Sequence, residues 1–206
     1  VVKNINKAEI KVGIVLKHIY KSFEKPVFED FNYIFESGKT TALTGSSGCG
    51  KTTLINMILG FEKADRGKIL FEKKPVFSVV FQEDRLIDSI SAKENILLNG
   101  CDEAECDYYL KKFGLYESRN KRASQLSGGM KRRIAIIRAL TYEADIYIFD
   151  EPFKGIDEDM KEKVIKSVCE KIKGKTNILI THDYSDTKIA DKTIDLDSLK
   201  NGGPND

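Results

Sequence analysis

Apolar and polar positions alternate along residues 9–20 (EIKVGIVLKHIY) and again, past Pro26, along residues 27–35 (VFEDFNYIF). A period of two predicts two strands, joined by a turn over 21–25 that carries the aromatic Phe23. Three short runs have a different texture: 40–44 (TTALT), 146–151 (IYIFDE) and 176–180 (TNILI) are almost continuously apolar or β-branched. Runs of that kind suit strands buried on both faces, as in a parallel sheet. Residues 68–72 and 76–81 predict two more strands after a turn at 65–67, and 193–196 a last short one. Helical spacing takes over at 53–59, where Gly60 can end the helix, and at 102–113, 130–140 and 157–173. Ser91 and Glu94 form a capping-box pattern that starts another helix towards Leu98. Residues 82–126 contain no strand pattern and read as a helical piece inserted into an α/β core. The tail at 201–206 is expected to be disordered.

Chemistry enters between the run at 40–44 and the helix at 53–59. There the chain reads GSSGCGKT over 45–52, the pattern G-x-x-x-x-G-K-[ST] in its strand–loop–helix context. Gly45, Gly48 and Gly50 let successive backbone N–H groups of Ser46, Ser47, Cys49 and their neighbours turn towards a phosphate without a Cβ in the way. The helix opening at Gly50 adds unpaired N–H groups through Thr53 and a positive dipole end. Lys51 supplies a movable cation for β- and γ-phosphates, and Thr52 a hydroxyl for Mg²⁺. The strand at 146–151 ends in Asp150 and Glu151, where an open α/β sheet binds ligand. Asp150 can hold Mg²⁺ through water, and Glu151 can polarise an attacking water. His182 ends the strand at 176–180 on the same edge and is placed to meet a γ-phosphate, whereas His18, within the first strand, reads as structural. A second anion site is suggested by Ser127, Gly128 and Gly129 at the head of the helix at 130–140; taken alone, the same residues also fit a hinge before a basic helix. Phe23, or else Tyr20, can stack on an adenine ring; packing of Phe23 into the core is the competing reading.

The totals narrow the setting. A chain of 206 residues suffices for one well-buried core and is short for two domains. A net charge of +2 argues against a nucleic-acid protein relying on a bulk positive field. No stretch approaches the roughly 20 apolar residues that span a bilayer, and no signal-peptide pattern opens the chain, so a cytosolic location is expected. Cys49, Cys101, Cys106 and Cys169 have no metal-ligand spacing and are expected to be reduced thiols. Modification of Cys49, inside the phosphate loop, is expected to block nucleotide binding.

Five separated pieces together resemble the ABC-type ATPases. They are GSSGCGKTT at 45–53, VVFQED at 79–84, QLSGGMKRR at 125–133, IYIFDEP at 146–152 and ITHD at 180–183. The resemblance spans nearly the whole chain, and LSGG between the two nucleotide motifs is specific to that family. It implies an α/β fold of the P-loop NTPase, ABC-ATPase kind: an N-terminal antiparallel β subdomain, a RecA-like core and an inserted α-helical subdomain at about 83–140, within a single domain over 1–206. It also implies Mg²⁺-dependent hydrolysis of ATP clamped between the 45–53 loop of one copy and Ser127, Gly128 and Gly129 of a second copy or close paralogue. In that scheme Glu151 is the general base, and His182 holds γ-phosphate and water. Gln82 senses Mg²⁺ and water and links the helical insert to the core. Asp157 communicates across the dimer, and Phe23 stacks on adenine.

Within the family, FQEDRLIDSISAKENILL, SQLSGGMKRRIAIIRAL and FDEPFKGID resemble the nitrate/sulfonate/taurine-type importers. The implied partners are transmembrane permease subunits and an extracytoplasmic substrate-binding protein, not nucleic acid, and the implied place is the cytoplasmic face of the cell membrane. The chain departs from the family in a short segment between Gly60 and Gln82, in Met130 where glutamine is commoner, and in Lys154-Gly155-Ile156 before Asp157. The alternatives are the ATPase of an exporter and a soluble, non-transport ATPase of the iron–sulfur assembly kind. The long coiled-coil insertions of repair ATPases and the tandem cassettes of ribosomal ones do not appear in the sequence.

Overall fold

A computed structural model describes residues 12–200. The first positions of the strand expected at 9–20, and the tail at 201–206, lie outside the described residues.

Strands β1 (Val12–Ser22) and β2 (Pro26–Glu36) form the expected antiparallel pair, and β4 (Arg66–Phe71) joins the free side of β1, giving the order β2-β1-β4. The second sheet is parallel throughout, in the order β5-β6-β7-β3-β8. Its strands are β3 (Thr40–Thr44), β5 (Phe77–Val80), β6 (Ile146–Asp150), β7 (Thr176–Ile180) and β8 (Lys192–Asp195). Every residue of β3, β6 and β7 is buried, which is why these runs look apolar rather than alternating.

The pleat divides β6 between two cores. Ile146 and Ile148 join Leu16, Phe28 and Phe35 of the antiparallel sheet and Leu54 and Ile58 of α1 (Lys51–Leu59). Tyr147 and Phe149 face the opposite way, into a cluster with Ile96, Leu110, Ile137 and Val168. Those four residues belong in turn to α2 (Ala92–Leu97), α3 (Glu103–Lys112), α4 (Gly128–Leu140) and α5 (Glu158–Ile172). Three of these helices lie between β5 and β6 in sequence, and each has the start signal that its residues advertise. Ser91 and Glu94 exchange both capping-box bonds, at 3.1 and 2.7 Å. Asp102 caps α3 through the Glu105 N–H at 2.7 Å, and Ser127 caps α4 through the Met130 N–H at 3.3 Å. Asp157 does the same for α5 at 3.0 Å.

Two local expectations are corrected. Residues 65–67 are not a turn: β4 begins at Arg66, and Gly67 lies within it at φ 93°. The reason is a close backbone approach. His18 stands at an irregularity in β1 with φ 52°, and a Cβ on Gly67 would lie 2.1 Å from the His18 carbonyl oxygen. The His18 ring, largely exposed, bonds Asp30 at 2.6 Å across the same bulge, in keeping with a structural role. At the other end, Leu196 does not extend β8. It opens a further helix, α6 (Leu196–Lys200), because the Asp195 carboxylate accepts from the N–H groups of Asp197 and Ser198 at 2.8 and 3.2 Å and starts a helical turn.

Gly67→Ala is expected to destabilise the fold by about 1–3 kcal/mol, from left-handed strain plus the carbonyl clash. Urea denaturation of the variant checks this; an unchanged midpoint would mean that β1 and β4 do not approach as closely as described.

Candidate functional site

In a parallel sheet the C-terminal ends of neighbouring strands share one edge. Here Thr44, Val80, Asp150 and Ile180 end at that edge, so the segments that follow them converge. Residues 45–50 wrap into a loop that delivers the chain to α1. Gly45, Gly48 and Gly50 adopt φ values of 139°, 79° and 104°. Gly50 also has no room for a side chain, since a Cβ there would lie 2.7 Å from Val27 Cγ1. Buried Lys51 folds its amine back over the loop, donating to Gly45 O at 2.8 Å and Ser46 O at 2.9 Å, with Cys49 Sγ at 3.7 Å. Thr52 is exposed and Thr53 half-buried at the head of α1.

A cleft of about 210 Å³ runs along this edge, lined by Ser47, Gly48, Gly50, Lys51, Thr52 and Thr53 on one side and by Gln82, Asp150, Glu151 and His182 on the other. Asp150 is buried, and its carboxyl is pushed above the ordinary range first by burial and then by the neighbouring Glu151, against the pull of Arg132, Lys51 and His182. Glu151 takes φ 50° while its N–H bonds Ile180 O at 2.9 Å. That left-handed residue turns the chain off β6, a local strain of the sort found where side-chain direction matters. Its Oε1 is buried without a hydrogen-bond partner and lies 3.5 Å from Nε2 of the half-exposed His182.

The segment after β5 is held from α4. Arg132 donates to Phe81 O at 2.7 Å and to Gln82 O, and its Nε lies 3.2 Å from Asp84. Arg138 donates to Arg85 O at 2.9 Å and Asp84 O at 3.1 Å. Arg133 donates to Gly129 O at 3.2 Å and Phe113 O at 2.8 Å, so all three arginines of α4 are engaged with carbonyls of this chain. What α4 offers an anion is its N-terminal backbone at Ser127 and Gly128, both exposed. The Gly129 backbone packs against the loop before α5, where a Cβ would meet Gly155 O at 2.6 Å.

Not every expected site residue reaches the cleft. Gly45, Ser46 and Cys49 belong to its loop but do not line it, and the Cys49 thiol is buried, 8% exposed. Ser127, Gly128 and Gly129 stand elsewhere on the chain. Phe23 is 61% exposed, with Lys21 Nζ 4.9 Å from its ring centre, so it is not part of the core; Tyr20 is 36% exposed. Sequence reasoning missed the ties that hold the edge in place. Lys161 on α5 pairs with Asp183 at 3.1 Å and Asp186 at 2.8 Å, anchoring the segment that carries His182. Asp197 and Lys200 of α6 bond the phosphate loop. Only the position of Asp195, an Asp ahead of two leucines three residues apart, signals that helix in the sequence.

Known proteins resemble this chain in sequence and fold. The family described as ABC transporter matches residues 28–154. The chain is 33% identical over 199 residues to the nitrate import ATP-binding protein of Synechococcus elongatus, covering 84% of this chain and 72% of that one. Identity is also 33%, over 189 residues, to the taurine import ATP-binding protein of Escherichia coli O157:H7, covering 83% and 74%. Among solved structures, a dimeric ATP-binding cassette in a post-hydrolysis state with ADP and Pi superposes with a TM-score of 0.80 at 25% identity, over 94% of this chain and 97% of that one. With its two sheets, its phosphate loop and its carboxylate edge, the chain belongs to the ABC transporter family and is an ATP-binding, ATP-hydrolysing cassette of it.

Proposed function

We propose that this cassette powers translocation of a substrate across a membrane as the ATPase subunit of an import system of the nitrate/sulfonate/taurine kind. The import reading is carried by the 33% identity to the nitrate and taurine import ATP-binding proteins, and a two-copy ATP site by an exposed helix start at Ser127 that the cleft does not use. Two copies would satisfy both: ATP on the 45–53 loop of one, its outer phosphate against Ser127, Gly128 and Gly129 of the other. The dimeric state of the similar cassette supports this pairing. Phe23, solvent-exposed on the β1–β2 turn, is available to stack on the adenine.

Mg²⁺ fits the residues present. Among the described residues no cluster of three or more His, Cys, Asp or Glu could form an all-protein cage. Instead the cleft offers the Thr52 hydroxyl, the Gln82 amide and the Asp150 carboxylate, a hard oxygen set suited to an ion that keeps water and phosphate ligands. Mg²⁺ bound there would neutralise charge between the phosphates. Lys51, already turned towards the loop's carbonyls, would transfer its bonds to phosphate oxygens, which are stronger acceptors for a cation. The Glu151 oxygen, which has no hydrogen-bond partner, could take a proton from water, and His182 beside it can hold that water and the γ-phosphate. Phosphoryl transfer needs little more than such positioning and charge stabilisation.

No described helix is long and apolar enough to cross a membrane. By its likeness to import ATP-binding proteins, the cassette would sit peripherally, on the cytoplasmic face, against permease subunits, with a substrate-binding protein delivering cargo from outside. Permease contact would fall on residues 82–99, at the start of the helical piece. There Ile87 and Leu98 expose about half of their surface, 47% and 59%. Arg132 and Arg138 of α4 would carry movement of that surface into the carbonyls beside Gln82.

Two outcomes are expected. The Asp150 carboxyl, raised above its ordinary value of 3.8 by burial, makes ionisation oppose folding. This penalty is absent below the unfolded value and grows as pH rises from there through the folded one. Asp150→Asn should thus melt higher than the native chain at pH 7 without nucleotide, with the difference shrinking as pH falls towards 4; an equal or lower melting temperature at pH 7 contradicts the electrostatic account. Glu151→Gln should abolish turnover while trapping Mg-ATP, and pull-down of this variant from detergent-solubilised native membranes should recover a multi-span permease. Full hydrolysis removes Glu151 from the role of base, and recovery of soluble partners alone overturns the transport reading.

A further inference from the structure

Helix α6 lies on the back of the phosphate loop and bonds it at two places. The Ser46 N–H donates to Asp197 Oδ2 at 2.6 Å, and Lys200 Nζ donates to Cys49 O. Neither residue lines the cleft, and neither belongs to any motif of the sequence. The helix is firmly seated: Leu196 is fully buried, and Lys200 Nζ stands 4.3 Å from the Phe28 ring centre.

Peptide geometry gives these two bonds a consequence on the far side of the loop. A trans peptide is planar, with its N–H and C=O pointing in opposite directions, and no described peptide is cis. In the unit joining Gly45 to Ser46, the N–H is held by Asp197. The opposed Gly45 carbonyl is thereby aimed at Lys51 Nζ, which it meets at 2.8 Å. In the unit joining Cys49 to Gly50 the arrangement is reversed. Lys200 holds the carbonyl, so the Gly50 N–H is directed away from α6. Because Gly50 can rotate freely for want of a Cβ, an external grip on its peptide matters more there than it would at any other residue type. The two contacts are complementary in sign, a carboxylate on the donor and an ammonium on the acceptor, and each is charge-assisted. The Ser46 N–H also holds the Asp197 carboxyl below its ordinary range, so the carboxylate form persists at neutral pH.

We propose that Asp197 and Lys200 are positioning residues for ATP binding: from behind the loop they fix two of its peptide units, and through them the direction of Lys51 and of the Gly50 N–H. This rests on residues 45–53 being the phosphate site.

The test measures ATP affinity and steady-state kinetics for Asp197→Ala, Asp197→Asn, Lys200→Met and Lys51→Ala in the full chain. Asp197→Ala is expected to raise both Kd and KM for ATP about tenfold, the effect of losing one charge-assisted bond. Asp197→Asn, whose side-chain oxygen still accepts the Ser46 N–H, should recover most of that loss. Lys200→Met should weaken ATP by a smaller factor while keeping its packing on Phe28. A merely structural role would lower the melting temperature and the active fraction but leave KM unmoved, and that result overturns the proposal. So does unchanged affinity in Asp197→Ala and Lys200→Met when Lys51→Ala binds ATP poorly. If Lys51→Ala binds ATP as the native chain does, the phosphate-site reading itself fails.

Discussion

The alternation of side chains along β6 is the constraint from which the site follows. Ile146 and Ile148 are committed to one core, Tyr147 and Phe149 to the other, and a shift of one residue would reverse all four. With both faces filled, the strand can end in only one register, which puts Asp150 at the sheet edge and Glu151 just beyond it. The same logic sets Thr44 of β3 and Ile180 of β7 beside it, since Leu43 and Asp150 both pair with Ile180. Cleft residues as distant in sequence as Lys51 and His182 meet because two hydrophobic clusters leave the strands no freedom to slide.

On this frame, charged side chains add ties to the functional segments beyond their apolar packing. Arg132 and Arg138 grip the carbonyls around Gln82, Lys161 grips Asp183 and Asp186, and α6 grips the phosphate loop. A bond to a backbone carbonyl or amide fixes a peptide's direction without filling space, so such segments can be directed precisely and still repack when a ligand or partner binds. Burial makes these ties costly to leave half-made, as the raised carboxyls of Asp84 and Asp150 illustrate.

Elements whose cause is local were legible in the sequence: the period-two strands, the helix starts at Ser91 and Ser127, and the glycine loop at 45–50. Each depends on neighbours within a few residues. Gly67 was misread as part of a turn because its glycine is demanded by His18, about fifty residues earlier, and not by its own neighbours. The clamp of Arg132 on Phe81 spans 51 residues and that of Asp197 on Ser46 spans 151, so nothing nearby in the chain announces either. Helix α6 was hidden for a related reason: five residues are too few for a period, and its one local sign is the cap at Asp195.

Turnover in the proposed dimer requires ATP shared between the 45–53 loop of one copy and the Ser127 helix start of another. Nucleotide retention in mixed dimers tests this most directly. Two variants would be made on the Glu151→Gln background, one also carrying Lys51→Ala and the other Ser127→Arg. Each alone has a fault in both composite sites and should retain no ATP after gel filtration. Mixed, they rebuild one intact site and should retain one ATP per heterodimer. Retention of one ATP per chain by the Ser127→Arg variant alone, or none by the mixture, would contradict a shared site.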